Sequence, residues 1–276
     1  MKILIIGGGK MGEAILAGWL ESTQYPAEFI GAANIDVVEP TASRRDFLTD
    51  TYGVTTFEKV ETVKGYDYVL IAVKPQVMAE VGNEVAPLFA QVGDGLQPTL
   101  VSIAAGVTIA RLQELFGPKG GVIRIMPNTP LAVGAGASGL CASAEVDLSK
   151  LQDVTDLFAC LGEAFVVDES VMDAVCALSG SGPAYVAWMI EVMRDKAVDL
   201  GLARDVAEKL ATQTVFGTAL LCAQPENTPE GVRESVCSPG GTTLAALDAM
   251  KEAGFEKVFD DGMDAAYRRS KELSAC

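Results

Sequence analysis

The most informative segment of this chain is Lys2-Ile-Leu-Ile-Ile-Gly-Gly-Gly-Lys-Met-Gly12, in which a strand-like run leads directly into a glycine-rich turn. Ile3–Ile6 are all apolar, as a buried parallel strand requires. The turn has Gly-x-Gly-x-x-Gly spacing, and apolar side chains then recur at helical spacing from Met11 to Leu20. The glycines therefore fall at a strand-to-helix junction, where a helix N-terminus can face a pyrophosphate.

Each glycine of the motif has a predicted role. Gly7 permits the tight turn, Gly9 lets the backbone approach the phosphates, and Gly12 lets the helix pack closely on the strand. Lys10 and Met11 lie between Gly9 and Gly12 and are predicted cofactor-binding residues. We interpret the turn as a dinucleotide-binding site; an accidental glycine turn is the less favoured alternative.

Composition narrows the possible functions. The chain has 276 residues, of which 49% are hydrophobic, enough for one large or two medium domains. A net charge of −16 makes nucleic acid and anionic membrane surfaces poor partners. No apolar run reaches the ~18 residues that a membrane span needs, and the first one ends in Gly-Gly-Gly-Lys rather than a cleavage site. We therefore expect a cytoplasmic protein with neither a nucleic-acid nor a membrane partner.

Histidine is absent from the chain, so its chemistry proceeds without imidazole. No Cys-x-x-Cys pair occurs, which predicts reduced, mostly buried thiols and neither a disulfide framework nor a metal site. The six cysteines, of which the last is expected to be exposed, are Cys141, Cys160, Cys176, Cys222, Cys237 and Cys276.

The first 170 residues alternate strand-like and helix-like segments, which predicts an α/β fold with a parallel, doubly wound sheet. The predicted strands are Ile3–Ile6, Ile35–Val38, Tyr68–Val73, Thr99–Ile103, Val122–Met126, 138–141 and 164–167. Four helices are predicted after the first one in this part of the chain. One follows an N-cap at Thr41 and ends at Thr51, and the others cover 76–91, 108–116 and 147–161.

Strand-like runs disappear from about residue 171. Two long helices are predicted over 183–200 and 204–223, with Gly201 ending the first. Both are apolar around most of their circumference, so they must be buried on more than one side. About 100 residues cannot easily bury them alone, which predicts an intertwined helical dimer. The alternative is one compact helical domain packed on the sheet.

Two signals at the end of the second predicted strand conflict. An acid at Glu39 would bind the adenosine ribose hydroxyls and favour NAD over NADP. Arg44 and Arg45, just downstream, could instead meet a 2′-phosphate. We favour a solvated helix face for the two arginines.

Three further motifs follow predicted strands at the sheet edge that faces the ligand crevice in open α/β folds. Ala72-Val-Lys-Pro75 offers Lys74 for a hydrogen bond to the cofactor or as an acid; alternatively it is a solvent-exposed lysine. Ser102–Gly106 has small residues that would let a nicotinamide come close, and Met126-Pro-Asn-Thr-Pro130 ends at the same edge.

Two glycine-rich segments open helices in the second half. In Leu178–Tyr185, Pro183 suits a first helical position and Ser179 or Ser181 is a candidate cap. Ser238-Pro-Gly-Gly-Thr-Thr243 combines hydroxyls with free N–H groups, which suits a carboxylate, although an ordinary capping turn is equally compatible.

Together these motifs resemble the pyrroline-5-carboxylate reductase family, over essentially the whole chain. Six segments carry the resemblance, the last two being the most specific: Gly7–Gly12, Ala72–Pro75, Ala104–Thr108, Met126–Pro130, Ser179–Tyr185 and Ser238–Thr243. The resemblance implies a Rossmann domain over 1–168 and an all-helical dimerisation domain over 169–276. It also implies reduction of 1-pyrroline-5-carboxylate to L-proline with NADPH or NADH. The active site would then lie between the cofactor of one subunit and the helical domain of its partner, with a higher oligomer left open.

The resemblance also implies roles for single residues. The Thr243 hydroxyl would hydrogen-bond the substrate ring nitrogen. The substrate carboxylate would be bound by Ser238 and by the backbone of Thr242 and Thr243, with Gly241 as a further substrate-binding residue. The nicotinamide-side wall would consist of Ala72, Val73, Lys74, Pro75 and Ala104. Three positions depart from the family pattern. Cys237 and Ser235 stand where serine and asparagine are common, which leaves the substrate role of Ser235 open, and Glu39 leaves the cofactor preference open.

Two other functions remain possible from the sequence. A reductase of the β-hydroxyacid dehydrogenase type would use a helical lysine as acid, for which Lys196 and Lys209 are the candidates within the two long helices. A non-catalytic dinucleotide sensor would use the acidic surface for partners, but it would not need a second, carboxylate-binding loop. Imine reduction fits a chain without histidine, because an imine nitrogen can be protonated before the hydride arrives.

Overall fold

A computed structural model describes residues 1–23, 30–93 and 97–274. Contacts between Cα atoms divide the chain into two compact units, which are described separately below. The first unit, here called the sheet unit, contains Met1–Ser181 and the chain from Ala266 onward. The second, the helical unit, is Gly182–Ala265. The sequence-based division after residue 168 stays a prediction.

Within the described residues, one sheet organises the sheet unit. Its strands are β1 (Ile3–Ile6), β2 (Ile35–Val38), β3 (Thr55–Phe57), β4 (Tyr68–Ile71), β5 (Thr99–Ser102), β6 (Val122–Met126), β7 (Gly136–Ala142) and β8 (Gly162–Val166). The order is β3-β2-β1-β4-β5-β6-β7-β8. The first six strands are parallel in the doubly wound order, which confirms the predicted α/β fold. β7 runs antiparallel to β6, and β8 is parallel to β7.

Helices cover both faces of this sheet. They are α1 (Lys10–Glu21), α2 (Ala42–Tyr52), α3 (Met78–Ala90), α4 (Ile109–Phe116), α5 (Leu148–Ala159) and the short α6 (Met172–Val175). Ile3 and Ile5 belong to one buried cluster, with Trp19 of α1 and Phe158 of α5. Leu4 and Ile6 belong to the other, with residues of α3 and α4. Because successive strand residues point to opposite faces, a strand covered on both sides must be apolar throughout.

The sheet corrects two predictions of the strand pattern. β3 was not predicted; it is a three-residue edge strand whose side chains are exposed or half-buried, so its sequence lacks a hydrophobic signal. β4 ends at Ile71, so Ala72 and Val73 lie beyond the strand rather than within it. The helix predicted over 76–91 begins with a 3-10 turn at Pro75–Val77 and continues as α3.

The predicted serine cap near residue 180 is wrong. Cys176–Gly180 form a π-helical turn, closed by the Ser181 N–H donating to the Cys176 carbonyl at 2.9 Å. The Ser179 hydroxyl donates backwards to the Val175 carbonyl at 3.0 Å, and Ser181 itself has helical backbone angles. The preceding turns therefore continue towards the next helix instead of ending at a capped start.

The helical unit contains α7 (Gly182–Asp199), α8 (Arg204–Cys222), α9 (Pro229–Ser235), α10 (Thr242–Glu252) and the first part of α11 (Phe255–Ser274). Gly201 has a φ of 104°, which confirms it as the left-handed residue after α7. α7 and α8 pack against each other, yet the buried side chains on them are only Ala207 and Ala211. Large apolar side chains such as Trp188, which is 67% exposed, face outward.

The end of α11 belongs to the sheet unit. The buried Ser270 hydroxyl donates to the Asp173 carboxylate at 2.6 Å. Leu273 packs so closely on Gly106, whose φ is 74°, that a Cβ on this glycine would lie 2.8 Å from the Leu273 Cβ. The last turns of the chain therefore lie against the loop that follows β5.

Cys141, Cys176, Cys222 and Cys237 are free thiols. Only Cys141 is buried, whereas Cys160, Cys176, Cys222 and Cys237 are half-buried, so the expectation of mostly buried thiols is wrong. Cys276 lies outside the described residues. Over residues 1–23, 30–93 and 97–274, no helix is long and apolar enough to cross a membrane. The same residues include no cluster of three or more acidic or cysteine side chains that could hold a metal ion.

Candidate functional site

The glycine turn joins β1 to α1 with little spare space. Gly7 has a φ of 111°, and its N–H donates to the Val38 carbonyl of β2 at 2.9 Å. A Cβ on Gly7 would lie 2.7 Å from the Ala72 carbonyl oxygen. A Cβ on Gly12 would clash with the Gly7 carbonyl oxygen, which explains why α1 can pack so near the strand end. Both positions therefore require glycine for packing alone.

Gly9 differs from its neighbours because nothing in the protein crowds it. It is the N-cap of α1 with an extended backbone, and no protein atom lies within 4 Å of the position its Cβ would take. No side chain caps this helix, so the N–H groups of its first turn, including those of Lys10 and Met11, lack partners within it. An open space in front of a bare helix N-terminus fits a pyrophosphate.

A cavity of about 420 Å³ lies beside the turn. Six predicted cofactor-binding residues line it: Gly7, Gly9, Glu39, Ala72, Val73 and Lys74. The other lining residues include Glu58, Lys59, Glu80 and Glu84. Folding thus brings the ends of β1, β2 and β4 around one space, which is the arrangement that a doubly wound sheet offers to a dinucleotide.

Glu39 is held by the backbone. Its Oε2 accepts a hydrogen bond from the Gly8 N–H at 3.1 Å, and its Oε1 accepts one from the Thr41 N–H at 2.9 Å. A Cβ on Gly8 would lie 2.6 Å from Leu48 Cδ1 and 3.2 Å from the Glu39 Cβ. The carboxylate is therefore fixed at the edge of the cavity, close to the glycine turn.

The two arginines after Glu39 are engaged by the protein itself. Arg44 pairs with Glu13 of α1, and its Nε donates to the Gly8 carbonyl at 2.7 Å. Arg45 donates to the carbonyls of Glu39 and Pro40, each at 2.8 Å. Neither is a simple solvated helix-face arginine, because both are less than a third exposed.

A tyrosine completes the network around Arg44. The Tyr52 hydroxyl donates to the other Glu13 oxygen at 2.9 Å. Burial, followed by this hydrogen bond, raises the pKa of Tyr52. Tyr52 therefore stays a neutral donor, and it helps to fix the carboxylate that in turn fixes Arg44.

The carboxyl edge of β4 and β5 has an exposed and a buried part. Lys74 and Pro75 are exposed, and the Lys74 carbonyl accepts from the Val77 N–H at 3.1 Å. Ala104 is buried, and its N–H donates to the fully buried Ser102 hydroxyl at 3.3 Å. Small side chains with fixed backbone stand at this edge, as the motif predicted, while Ala104 and Pro75 do not line the cavity described above.

The Ser238–Thr243 segment forms a compact turn in the helical unit. The Gly241 N–H donates to the Ser238 carbonyl at 2.9 Å, and Gly240 has a φ of 70°. Gly241 is the N-cap of α10, and no side chain caps this helix. A Cβ on Gly241 would clash with the Ser238 hydroxyl, so glycine lets that hydroxyl lie against the turn.

Hydroxyl groups and free N–H groups thus meet at the start of α10. Thr242 and Thr243 are its first two residues, so their N–H groups have no partner within the helix. Ser238 and Thr242 are exposed and Thr243 is half-buried. These are the groups that an anion-binding turn needs, and a carboxylate site at this turn stays a prediction.

Ser235 has a different orientation. Its hydroxyl donates to the Val232 carbonyl of α9 at 2.7 Å, and the Cys237 thiol donates to the Arg233 carbonyl at 3.1 Å. Both side chains therefore satisfy the end of α9. A substrate role for Ser235 stays a prediction.

Sequence reasoning missed two positions. Gly8 occupies a variable place in the motif, yet it faces Glu39 and Leu48 and supplies an N–H to Glu39. Asn128 is buried; its Nδ2 donates to the Ser179 carbonyl at 3.1 Å and its Oδ1 accepts from the Ala137 N–H at 2.9 Å. The Met126–Pro130 motif therefore anchors the π-helical turn. The sequence does not predict these buried hydrogen bonds, because asparagine in such a segment is typical of an ordinary turn.

The candidate lysines of the alternative reductase have ordinary surroundings. Lys196 is exposed and lies 3.9 Å from the Asp199 carboxylate, one helical turn away. Lys209 is an exposed residue of α8 beside Asp205 and Glu208. Neither lysine is buried within the chain.

Comparison with known proteins identifies the family. A family model for pyrroline-5-carboxylate reductase dimerisation matches residues 169–273, and one for NADP oxidoreductase, coenzyme F420-dependent, matches residues 2–106. The pyrroline-5-carboxylate reductase of Synechocystis sp. is 43% identical over 275 residues, covering 99% of this chain and 98% of that protein. The chain belongs to the pyrroline-5-carboxylate reductase family. The member from Escherichia coli is 37% identical over 274 residues, with 99% and 98% coverage.

Solved structures of the family share the fold over the whole chain. A pyrroline-5-carboxylate reductase from Coxiella burnetii superposes with a TM-score of 0.89 at 32% identity, covering 99% of this chain and 98% of that one. A Plasmodium falciparum pyrroline carboxylate reductase with NADP bound has a TM-score of 0.84 at 27% identity, with the same coverage. The predicted family, and the predicted Rossmann sheet followed by a helical dimerisation domain, are confirmed.

Proposed function

We propose that this chain reduces 1-pyrroline-5-carboxylate to L-proline, with NADPH or NADH as hydride donor. The observation that supports the proposal is the presence, in one chain, of two separate glycine-rich turns, each opening a helix that no side chain caps. One precedes α1 beside a cavity, and the other precedes α10 with two hydroxyl groups. A hydride transfer between a dinucleotide and a small acid needs both.

The glycine turn is the proposed cofactor half. Gly7 and Gly12 let α1 approach the sheet, and Gly9 leaves the space for the pyrophosphate. Ala72, Val73, Lys74, Pro75 and Ala104 would form the wall beside the nicotinamide. The dinucleotide supplies the hydride when bound; the protein residues hold it and exclude water.

The Ser238–Thr243 turn is the proposed substrate half. The substrate carboxylate would accept hydrogen bonds from the Ser238 hydroxyl and from the N–H groups of Thr242 and Thr243, with Gly241 allowing the close approach. The Thr243 hydroxyl would hydrogen-bond the ring nitrogen and orient the imine carbon. A protonated imine needs no histidine, because its nitrogen already carries the proton that a ketone would have to receive from an acid.

A homodimer through the C-terminal helices would complete the site. The helical unit exposes apolar side chains over most of α7 and α8, more than a stable monomer leaves open. On these two helices the most exposed large apolar side chains are Trp188, Val192, Leu210, Phe216, Leu220 and Leu221. The family model over 169–273 describes a dimerisation domain, which supports this surface as the contact. The free thiols of Cys141, Cys176, Cys222 and Cys237 support a reducing compartment such as the cytoplasm.

Steady-state kinetics test the proposal. Oxidation of NADPH and NADH should be measured with pyrroline-5-carboxylate and, in parallel, with small hydroxy acids and keto acids. We expect turnover with pyrroline-5-carboxylate and none with the hydroxy acids or keto acids. Turnover with a keto acid instead would support the β-hydroxyacid dehydrogenase type, and tight cofactor binding without turnover of any imine would support a dinucleotide sensor.

A further inference from the structure

We propose that this chain selects NADH over NADPH, and that Glu39 is the residue that determines this selection. The inference rests on the proposed function, since it assumes that the cavity beside the glycine turn receives the adenosine half of a dinucleotide. NADPH differs from NADH by one phosphate on the adenosine ribose, which adds close to two negative charges at neutral pH. The charges around the cavity therefore decide which cofactor binds.

The Glu39 carboxylate is held in a position where it can accept hydrogen bonds from a ribose. The N–H groups of Gly8 and Thr41 hold its two oxygens at 3.1 and 2.9 Å. A side chain at position 8 would crowd Glu39, since a Cβ on Gly8 would lie 3.2 Å from the Glu39 Cβ; glycine avoids this contact. A carboxylate has about four lone-pair sites, so two remain for the hydroxyls of a ribose. A ribose phosphate offers no donor in their place and repels the charge.

The Arg44 guanidinium, which could neutralise such a phosphate, is already engaged. It pairs with Glu13, donates to the Gly8 carbonyl at 2.7 Å, and lies 4.8 Å from the ring centre of Phe47. Glu13 in turn accepts from Tyr52. Turning Arg44 toward a ligand would leave the part-buried Glu13 carboxylate with the Tyr52 hydroxyl but without its cationic partner, which is costly.

The Arg45 guanidinium is engaged in another way. Its Nη1 donates to the carbonyls of Glu39 and Pro40 at 2.8 Å each, and its Nη2 lies 3.8 Å from the Glu58 carboxylate. These contacts hold the segment that carries Glu39. Arg45 therefore supports the acid rather than competing with it.

The remaining charges of the cavity point the same way. Four glutamates, Glu39, Glu58, Glu80 and Glu84, line it together with two lysines, Lys59 and Lys74. The lining is thus net negative, and a further dianionic group is disfavoured in it. Lys74 belongs to the proposed nicotinamide-side wall. Lys59 is therefore the lining lysine that would have to bind the ribose phosphate if the chain selected NADPH.

Equilibrium binding of the two cofactors tests this inference. Dissociation constants of NADH and NADPH should be measured by calorimetry for the wild type and for Glu39→Gln, which keeps the shape and removes the charge. We expect the wild type to bind NADH about tenfold or more tightly than NADPH, and Glu39→Gln to raise NADPH affinity about tenfold. Thermal unfolding of each variant without cofactor reports whether the turn is intact. If Glu39→Gln unfolds early, Glu39→Ser provides the same comparison.

Matched variants make the result specific. Glu84→Gln removes a charge from the same cavity without touching the glycine turn, and should change the ratio of the two constants less than about threefold. Wild-type preference for NADPH, or a selective loss of NADPH affinity of about tenfold in Arg44→Ala, Arg45→Ala or Lys59→Ala, would overturn the inference. Failure to bind either cofactor would instead contradict the proposed function.

Discussion

The sheet unit and the helical unit solve the same problem in opposite ways. Every residue of β1 is buried, because helices of the same chain cover both faces of the sheet. α7 is also rich in apolar residues, yet none of its side chains is buried within the chain. Hydrophobic periodicity therefore indicates how much surface must be covered, but not which molecule covers it. Four experiments test this difference between the two units.

The largest effect should come from emptying the core of the sheet unit. Phe116 of α4 is fully buried, so Phe116→Ala should lower the free energy of unfolding by about 3–5 kcal/mol at any protein concentration. Phe216→Ala, at a position 56% exposed in α8, is the matched control in the helical unit. Its effect on the midpoint of denaturant unfolding should grow as the protein is diluted, as expected for a dimer contact. A concentration-independent loss at Phe216 would contradict the comparison.

Next in size should be the contrast between two glycines of one turn. Gly12→Ala places a methyl group against the Gly7 carbonyl and should cost about 1–3 kcal/mol of unfolding free energy. Gly9→Ala meets no protein atom and should cost about 1 kcal/mol or less. Calorimetric titration should nevertheless show cofactor affinity reduced in Gly9→Ala by about tenfold or more. Unchanged affinity in Gly9→Ala would remove this turn from the cofactor site.

In the helical unit the test concerns chemistry rather than packing. Thr243→Ala should lower kcat/KM for pyrroline-5-carboxylate by about tenfold or more, which corresponds to about 1.4 kcal/mol. Thr243→Ser keeps a hydroxyl and should retain most of the activity. Dimer mass and unfolding should be the same in both variants, since Thr243 is only half-buried. Equal activity of the Ala variant and the wild type would exclude Thr243 from the site.

The smallest effect should be a pH dependence confined to the sheet unit. Burial, followed by the nearby Glu169 charge, raises the pKa of the Cys141 thiol to about 11. The unfolded thiol ionises near 9.0, so its stabilising contribution is complete below that pH and is lost as pH rises toward 11. The melting temperature should therefore fall over this range, and less steeply in Cys141→Ala. Identical slopes in the two proteins would show that Cys141 does not titrate late.

The elements that sequence reasoning located are those whose signals are local. β1, β2 and β6 have the predicted bounds, and α8 ends within one residue of the prediction. β3 was missed because an exposed edge strand needs no hydrophobic run. The π-helical turn at Cys176–Gly180 was also missed, since the pattern of serines and glycines there equally suits a helix cap.

The candidate site shows the same division. The glycine spacing was sufficient to predict the turn before α1, and the Ser238–Thr243 motif was sufficient to predict a helix N-terminus. The sequence could not resolve the conflicting cofactor preferences indicated by Glu39 and by the two arginines. Resolving them depended on Gly8 and Glu13, each 31 residues away from the side chain that it contacts.

Short segments of the chain were enough to predict the first strand, the glycine turn, the alternation that makes a parallel sheet, and the family, because periodicity and backbone conformation are properties of short segments. The partner of each charged side chain became known only from the folded chain. Arg44 pairs with Glu13, and Glu39 accepts from Gly8, because folding brings β1, α1 and α2 to one edge of the sheet. Pairing in three dimensions costs or gains energy through distance and burial, and neither is recorded in the order of the residues.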